Sequence, residues 1–300
     1  MRVYHSRVPE RVNKAVELLA QGQPIYYETV GGGVGYDAGR MLARTWADYI
    51  TYEMEHHPFD VTQLGAFMRG LVDGGPTPSG HRTPAVIVTL PVSGINEQVM
   101  LANNWMVRQV LATGIHGILL CHAESPDAVR VFVEAARYPY QEAGLDRGLQ
   151  VGRRGGGGQR EAAEIWGIPT REYLDRADPW PLNPRGELLL GLKIENVRAL
   201  DQAEASTRVP GVGFAEWGPG DMGMSMGYPD QHDEPYPADM VAARARVLAA
   251  CQAAGIAFLN TVGPENVVAR IEEGVRVGAG PNARAAAEIG RAHTRREMAW

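Results

Sequence analysis

The sequence predicts an α/β fold in which eight parallel strands close into a (β/α)8 barrel, also called a TIM barrel. Short apolar segments rich in β-branched residues recur along the 300 residues, and patterns typical of helices separate them. Eight such segments occur, which is the number of strands that closes this type of barrel. The length and the 45% hydrophobic content suit a single domain that covers residues 1–300.

The strands are predicted where short apolar or β-branched runs are bounded by glycine, proline or polar residues. They cover residues 24–29, 49–53, 85–90, 117–122, 188–195, 212–217, 257–261 and 275–278. The helices are predicted at residues 36–46, 61–71, 98–113, 127–137, 196–207, 237–254 and 265–273. Gly114, Gly255 and Gly274 stand at helix ends directly before strands, where a residue that tolerates positive φ ends a helix.

Two segments depart from this alternation of strands and helices. Residues 138–184 contain four consecutive glycines and several prolines. A connection of this length in a barrel is usually functional or part of an interface. Residues 282–300 are rich in alanine and arginine. They predict a C-terminal helical extension that either closes the barrel or packs on a neighbouring subunit.

A doubly wound dinucleotide-binding fold is the alternative architecture. Its phosphate-binding turn has the spacing G-x-G-x-x-G/A, and residues 33–38 (GVGYDA) match it, with Glu53 at about the distance of a ribose-binding acid. Residues 31–35 are so rich in glycine that such a match arises easily by chance. We therefore interpret this segment as a flexible turn between a strand and a helix.

The composition excludes several classes of partner. The net charge is -6 and no run of lysine or arginine is long enough to bind a nucleic acid or an anionic membrane. No apolar run reaches the roughly 18–20 residues of a membrane span, and residues 1–10 lack the pattern of a signal peptide, so we expect a cytoplasmic protein. Cys121 and Cys251 lie in apolar segments and are predicted to be buried free thiols without a chemical role. The expected partner is a small molecule.

Ionisable residues near the ends of the fifth and sixth strands predict a metal site. Lys193 and Glu195 are two residues apart, so both side chains should enter the barrel, which is costly unless they bind something. Asp221 follows the next strand, and glycines on both sides let the backbone bring it to the barrel mouth. Taken alone, Glu195 suits an ion pair and Asp221 suits a helix cap. Together they predict a site for Mg²⁺ or Mn²⁺.

Histidines near two strand ends are candidates for proton transfer. His56 and His57 follow the second strand, and the sequence leaves open which of them acts. His122, at the end of the fourth strand, is a secondary candidate, whereas His116 stands at the opposite end of that strand.

Four segments resemble the hydroxy-oxo-acid aldolases of the HpcH/HpaI family. They are residues 48–58 (DYITYEMEHHP), 137–139 (RYP), 193–196 (KIEN) and 218–223 (GPGDMG). The resemblance extends from the first strand to the eighth. It implies a phosphoenolpyruvate/pyruvate-type barrel, commonly hexameric, that uses a divalent metal to stabilise a pyruvate enolate.

The resemblance also implies an activity and a set of site residues. Glu195 and Asp221 would hold the metal and His56 would act as acid and base, while backbone amides near Gly218 and Gly220 would bind the substrate carboxylate. The implied enzyme is a metal-dependent lyase that cleaves a 4-hydroxy-2-oxo acid. Two alternatives remain open. One is an oxaloacetate decarboxylase or macrophomate-synthase-like enzyme that traps the enolate, and the other is a non-catalytic binding protein on the same barrel.

The chain departs from the family pattern at two positions. Leu90 stands where family members carry an arginine before proline, and Ala112 replaces an acidic residue that often partners the histidine. Lys193 is the candidate for the missing positive charge. It would contact a carboxylate or enolate, and the alternatives are a Schiff base or an ion pair with Glu195 or Glu216.

Overall fold

The computed structural model describes residues 9–300, and its strands form the predicted closed barrel. All pairings are parallel, and the barrel closes because β4 pairs with β6. The strands are β1 (Ile25–Gly31), β2 (Tyr49–Glu53), β3 (Ala85–Ser93), β4 (Gly117–Cys121), β5 (Pro179–Trp180), β6 (Leu188–Lys193), β7 (Phe214–Glu216), β8 (Ala257–Thr261) and β9 (Val275–Ala279). Eight of them form the barrel, and the two-residue β5 pairs with the start of β6. Closure rules out the doubly wound alternative.

Most helices follow strands and cover the outside of the barrel, whereas α1 precedes β1 and packs against the interior layer. They are α1 (Lys14–Ala20), α2 (Tyr36–Leu42), α3 (Val61–Gly74), α4 (Glu97–Ala112), α5 (Pro126–Ala136), α6 (Gln159–Trp166), α7 (Thr170–Arg176), α8 (Val197–Asp201), α9 (Ala203–Thr207), α10 (Pro219–Met226), α11 (Ala238–Ala254), α12 (Val267–Glu273) and α13 (Ala283–His293). Each predicted helix has a counterpart, but the one expected at 36–46 ends at Leu42 and the one at 196–207 is split in two. The long connection at 138–184 contains α6 and α7.

The core has two layers, as expected for a barrel covered by helices. Alternate strand residues fill the interior and the others pack under the helices. The interior layer includes Ile25, Tyr49, Ile87, Leu119, Leu189, Phe214, Leu259 and Val277. Gly191 makes room for the Phe214 ring, because a Cβ at this position would lie 2.2 Å from the ring. Apolar side chains therefore fill the barrel interior below its polar mouth.

The C-terminal helical segment lies on its own barrel. Helix α13 contacts α12 and β1. Arg291 and Arg296 both donate hydrogen bonds to the buried carboxylate of Asp48, next to the start of β2. The predicted C-terminal segment thus packs on the outside of its own barrel, and its packing on a neighbouring subunit stays a prediction.

Two further expectations concern the membrane and the cysteines. Within residues 9–300, no helix is long and apolar enough to cross a membrane. Both cysteines are buried and free, as predicted. The expectation for residues 1–10 falls mainly on residues 1–8, which lie outside the described part of the chain.

Candidate active site

The carboxyl ends of β2, β4, β6 and β7 bring ionisable side chains together in the barrel mouth. These side chains belong to Glu55, Cys121, Lys193, Glu195 and Glu216. Parallel strands end at the same face of a barrel, and alternate residues point inward, so the fold itself gathers these groups.

Lys193 lies between two carboxylates. Its Nζ is 2.6 Å from Oε2 of Glu55 and 2.8 Å from Oε2 of Glu195. Burial acts to lower the pKa of Lys193, but the Glu216, Glu195 and Glu55 carboxylates outweigh it and hold that pKa well above its usual value. Lys193 and Glu195 therefore face the same way, as predicted. A Schiff base needs a neutral amine, so this environment favours a charge role for Lys193.

Glu195 is fully buried just beyond β6. Its Oε1 accepts a hydrogen bond of 3.1 Å from the backbone N–H of His122, and burial raises the pKa of its carboxyl. The flanking Leu192 and Ile194 are buried in the outer core layer, as the alternation predicts. Lys193 and Glu195 are therefore two ionisable groups that are both shielded from solvent and in contact at the barrel mouth.

The structure places His122 closer to Glu195 than the sequence alone suggested. His122 has a φ of 44°, a left-handed conformation that non-glycine residues adopt mainly where surrounding contacts impose it. Its Nδ1 is 3.4 Å from Oε1 of Glu195, and its Nε2 is 3.6 Å from Oε1 of Glu55. Asn196 also contacts Nδ1, at 3.1 Å. These contacts fix the ring between the two carboxylates.

His56 and His57 lie at the outer edge of the same site. The His56 side chain is 68% exposed, and its Nδ1 is 3.8 Å from Oε2 of Glu55. His57 is 52% exposed and pairs with Glu53, which also accepts a hydrogen bond from the backbone N–H of His56. Of the two, His56 is the one whose ring approaches Glu55. Its role as acid and base stays a prediction.

Asp221 lies in the first turn of α10 rather than in the loop that its glycine-rich surroundings suggested. Gly218 is the residue before this helix, and a Cβ at Gly218 would lie 3.0 Å from Oε2 of Glu195. The start of α10 therefore lies against Glu195, and Asp221 is three residues further along. The first turn of a helix also leaves backbone N–H groups without helical partners, and these can bind an anion.

Glu216 ends β7 and faces the same cluster. Burial raises its pKa to about 7, with Lys193 opposing that shift and the carboxylates of Glu195, Glu55 and Asp221 adding to it. The mouth thus holds more acidic groups than the Lys193 ammonium balances.

This arrangement fits a divalent cation. Ligand atoms of Glu55, Cys121 and Glu195 all lie within 4.8 Å of one another. Asp221 is not a member of this group, although its charge contributes to raising the pKa of Glu216. Carboxylate oxygens are the ligands that hard divalent cations prefer, and a second positive charge would relieve the excess of acidic groups.

Two members of the cluster, Glu55 and Cys121, had no assigned role in the sequence interpretation. Glu216 was considered only as an ion-pair partner of Lys193. The two-residue alternation that joined Lys193 to Glu195 also relates Glu53 to Glu55, and it was a usable signal. Cys121 was judged by its apolar neighbours in the sequence, although it is the last residue of a strand and could be expected at the mouth.

The position of the missing family arginine is filled by core packing. The Leu90 side chain is fully buried in the outer layer, and its carbonyl oxygen accepts a hydrogen bond from Sγ of Cys121 at 3.1 Å. Position 90 therefore supplies no charge to the mouth, whereas Lys193 does.

Comparisons with known proteins agree with this architecture. The model of the HpcH/HpaI aldolase/citrate lyase family matches residues 41–279. A hydroxypyruvate/pyruvate aldolase of Paraburkholderia phytofirmans is 27% identical over 220 residues, which is 73% of this chain and 72% of that protein. A 2-keto-3-deoxy-L-rhamnonate aldolase of Klebsiella pneumoniae is 25% identical over 65% of this chain and 60% of that protein.

A solved structure is similar to this chain in fold as well as in sequence. It is an HpcH/HpaI aldolase/citrate lyase family protein from Burkholderia cenocepacia, with a TM-score of 0.66 and 25% identity. The similarity covers 91% of this chain and 93% of that one. An enzyme is therefore favoured over a non-catalytic binding protein. The chain belongs to the HpcH/HpaI aldolase/citrate lyase family and is a carbon–carbon lyase of the aldolase type.

Proposed function

We propose that this aldolase cleaves a 4-hydroxy-2-oxo acid to a pyruvate-type enolate and an aldehyde, with Mg²⁺ or Mn²⁺ bound by Glu195 and Asp221. The observation that supports it is the mouth itself, where the Lys193 ammonium lies between buried carboxylates beside the start of α10. Such a site can hold both a cation and the negatively charged oxygens of a 2-oxo acid.

The residues of this chain take separate parts in the reaction. A bound divalent cation would supply Lewis-acid stabilisation of the enolate. Lys193 contributes a fixed positive charge toward the substrate carboxylate or the developing enolate. The N–H groups at the start of α10, near Gly218 and Gly220, orient the carboxylate. His56 accepts the proton of the 4-hydroxyl group as the carbon–carbon bond breaks.

The metal assignment is tested by removing one ligand charge at a time. Glu195→Gln and Asp221→Asn should each abolish metal-dependent release of pyruvate and metal-dependent exchange of the pyruvate methyl protons with solvent. Circular dichroism should show an intact fold, because neither change removes apolar packing. Glu272→Gln and Asp127→Asn are matched controls, since both of these side chains are more than half exposed.

Full activity of both ligand variants after stripping and re-adding metal would refute the assignment. The products identify the reaction. An aldehyde formed together with pyruvate supports the aldolase, whereas carbon dioxide released from oxaloacetate without an aldehyde would replace it by a decarboxylase. We also propose a homo-oligomer, a hexamer by family resemblance, which light scattering after size-exclusion chromatography measures directly.

A further inference from the structure

Cys121 lies in the barrel mouth and not in the apolar layer under the helices. It is the last residue of β4, and in the alternation of that strand it follows Leu119, which belongs to the interior layer. The side chain is 1% exposed. Its Sγ and the nearest carboxylate oxygens of Glu55 and Glu195 all lie within 4.8 Å of one another.

Cys251 provides the internal comparison. It is equally buried and equally free, but it lies on α11 in the outer core layer. It belongs to no group of potential metal ligands in the described part of the chain. The two thiols therefore differ in their neighbours and not in their exposure.

We propose that Cys121, together with Glu55 and Glu195, forms a mixed sulfur–oxygen site that binds thiophilic divalent cations such as Zn²⁺, Co²⁺ and Cd²⁺ more tightly than Mg²⁺. Thiolate sulfur is a soft ligand that favours these ions, whereas Mg²⁺ prefers oxygen alone. The inference rests on the proposed function, because the site shares Glu195 with the proposed metal centre.

The geometry requires only a small contraction. Metal–sulfur and metal–oxygen bonds of about 2.3 and 2.1 Å place the ligand atoms of a tetrahedral site roughly 3.3–3.7 Å apart. From the 4.8 Å limit, the three atoms need to approach one another by at most about 1.5 Å. As the metal–sulfur bond forms, the thiol proton leaves to solvent.

The present occupant of this space is the Lys193 ammonium, which contacts both carboxylates. An entering dication displaces it, because two positive charges on the same carboxylates repel at close range. The lysine keeps a counter-charge after displacement, since Glu216 lies beside it in the register of β6 and β7. Two of the three proposed ligands, Glu55 and Glu195, thus already contact a cation.

The test uses the full-length protein, stripped of metal and titrated with CdCl₂. Cadmium–thiolate bonds give an ultraviolet charge-transfer absorption that cadmium–carboxylate bonds lack. The wild-type protein and Cys251→Ala should show this absorption at one equivalent of Cd²⁺, and Cys121→Ala should not. Calorimetry should give a Cd²⁺ affinity for Cys121→Ala that is lower by roughly 10–100-fold or more, with the affinity for Mg²⁺ unchanged.

Each outcome decides between the inference and the proposed function. If Mg²⁺ or Mn²⁺ binds while Cd²⁺ gives no thiolate absorption in Cys251→Ala, the sulfur ligand is refuted and the carboxylate centre stands. If Cd²⁺ gives the absorption but Glu195→Gln and Asp221→Asn keep full metal-dependent activity, the proposed centre fails and the sulfur site stands. Cys251→Ala leaves Cys121 as the single thiol, so the test holds even where Cys121→Ala does not fold.

Discussion

Replacing Asp48 by asparagine should destabilise the barrel more than any single change in the active site. Asp48 is fully buried beside the start of β2 and receives three cations. Arg296 donates to both of its oxygens, at 2.5 and 2.8 Å, Arg291 donates at 3.1 Å, and Nζ of Lys14 lies at 3.3 Å. The backbone N–H of Tyr26 also donates a hydrogen bond of 3.0 Å to Oδ2 of Asp48.

The size of the effect follows from what Asp48→Asn leaves behind. The side chain keeps its shape but loses the charge that compensates three buried cations, and its amide group faces the Arg296 donors. Breaking one buried ion pair costs about 3–5 kcal/mol. Domains have roughly 5–15 kcal/mol of stability in total, so the expected loss is at least about a fifth of it.

Lys14→Met is the matched control, because it removes one cation and leaves Asp48 paired. Burial outweighs the attraction of Asp48 and lowers the pKa of Lys14 to about 8, from 10.5. Between those values the unfolded chain holds a proton that the folded chain has released, so the free energy of unfolding rises with pH through this window. Lys14→Met should therefore cost little at neutral pH and should lack the rise at alkaline pH.

Urea unfolding followed by circular dichroism measures both effects. Hydrogen exchange should also show α13 opening more readily in Asp48→Asn, since Arg291 and Arg296 connect the C-terminal segment to β2. If Asp48→Asn lowers the free energy of unfolding by less than about 1 kcal/mol, the reasoning is refuted. A loss that small is typical of an exposed ion pair and not of a buried one.

The other predictions concern the mouth. His56→Asn should slow turnover by roughly 10²–10⁴-fold with metal still bound, and the same loss in His57→Asn alone would move the assignment by one residue. Lys193→Met should weaken binding of pyruvate, Lys193→Arg should retain some activity, and borohydride with substrate should add no mass at Lys193. Gly218→Ala should weaken metal binding, measured by calorimetry, because its methyl group would lie 3.0 Å from the Glu195 carboxylate.

The barrel was predictable because its signals are local and repeated. Strands β2 and β8 were predicted at their observed bounds, and the other barrel strands within a few residues, since short β-branched runs alternate with helical ones. Helix α10 was not predicted, because Pro219, Gly220 and Gly223 suggest a turn by composition. Proline is nevertheless favourable in the first helical turn, and the contacts of α10 with α8 and α11 support the rest.

The site was only partly predictable, since strand alternation relates residues along one strand but not between strands. It joined Lys193 to Glu195 correctly. The contact of Lys193 with Glu55 spans 138 positions in the sequence and depends on the closure of the barrel. The position of His122 against Glu195 depends on a left-handed backbone that no local pattern indicates.

The charge balance of the mouth connects its two proposed ligands. Without a metal, the Lys193 ammonium compensates Glu55 and Glu195, so it is not available to a substrate carboxylate. A dication bound by Glu195, as proposed, would take over this compensation and free the lysine from these two carboxylates, so that its charge could act on the substrate. Binding of metal and of 2-oxo acid should therefore be coupled, and by linkage each should strengthen the other by the same factor. Lys193→Met should bind metal more tightly and lose the coupling. If calorimetry with pyruvate finds equal coupling in this variant, Lys193 does not connect the two ligands.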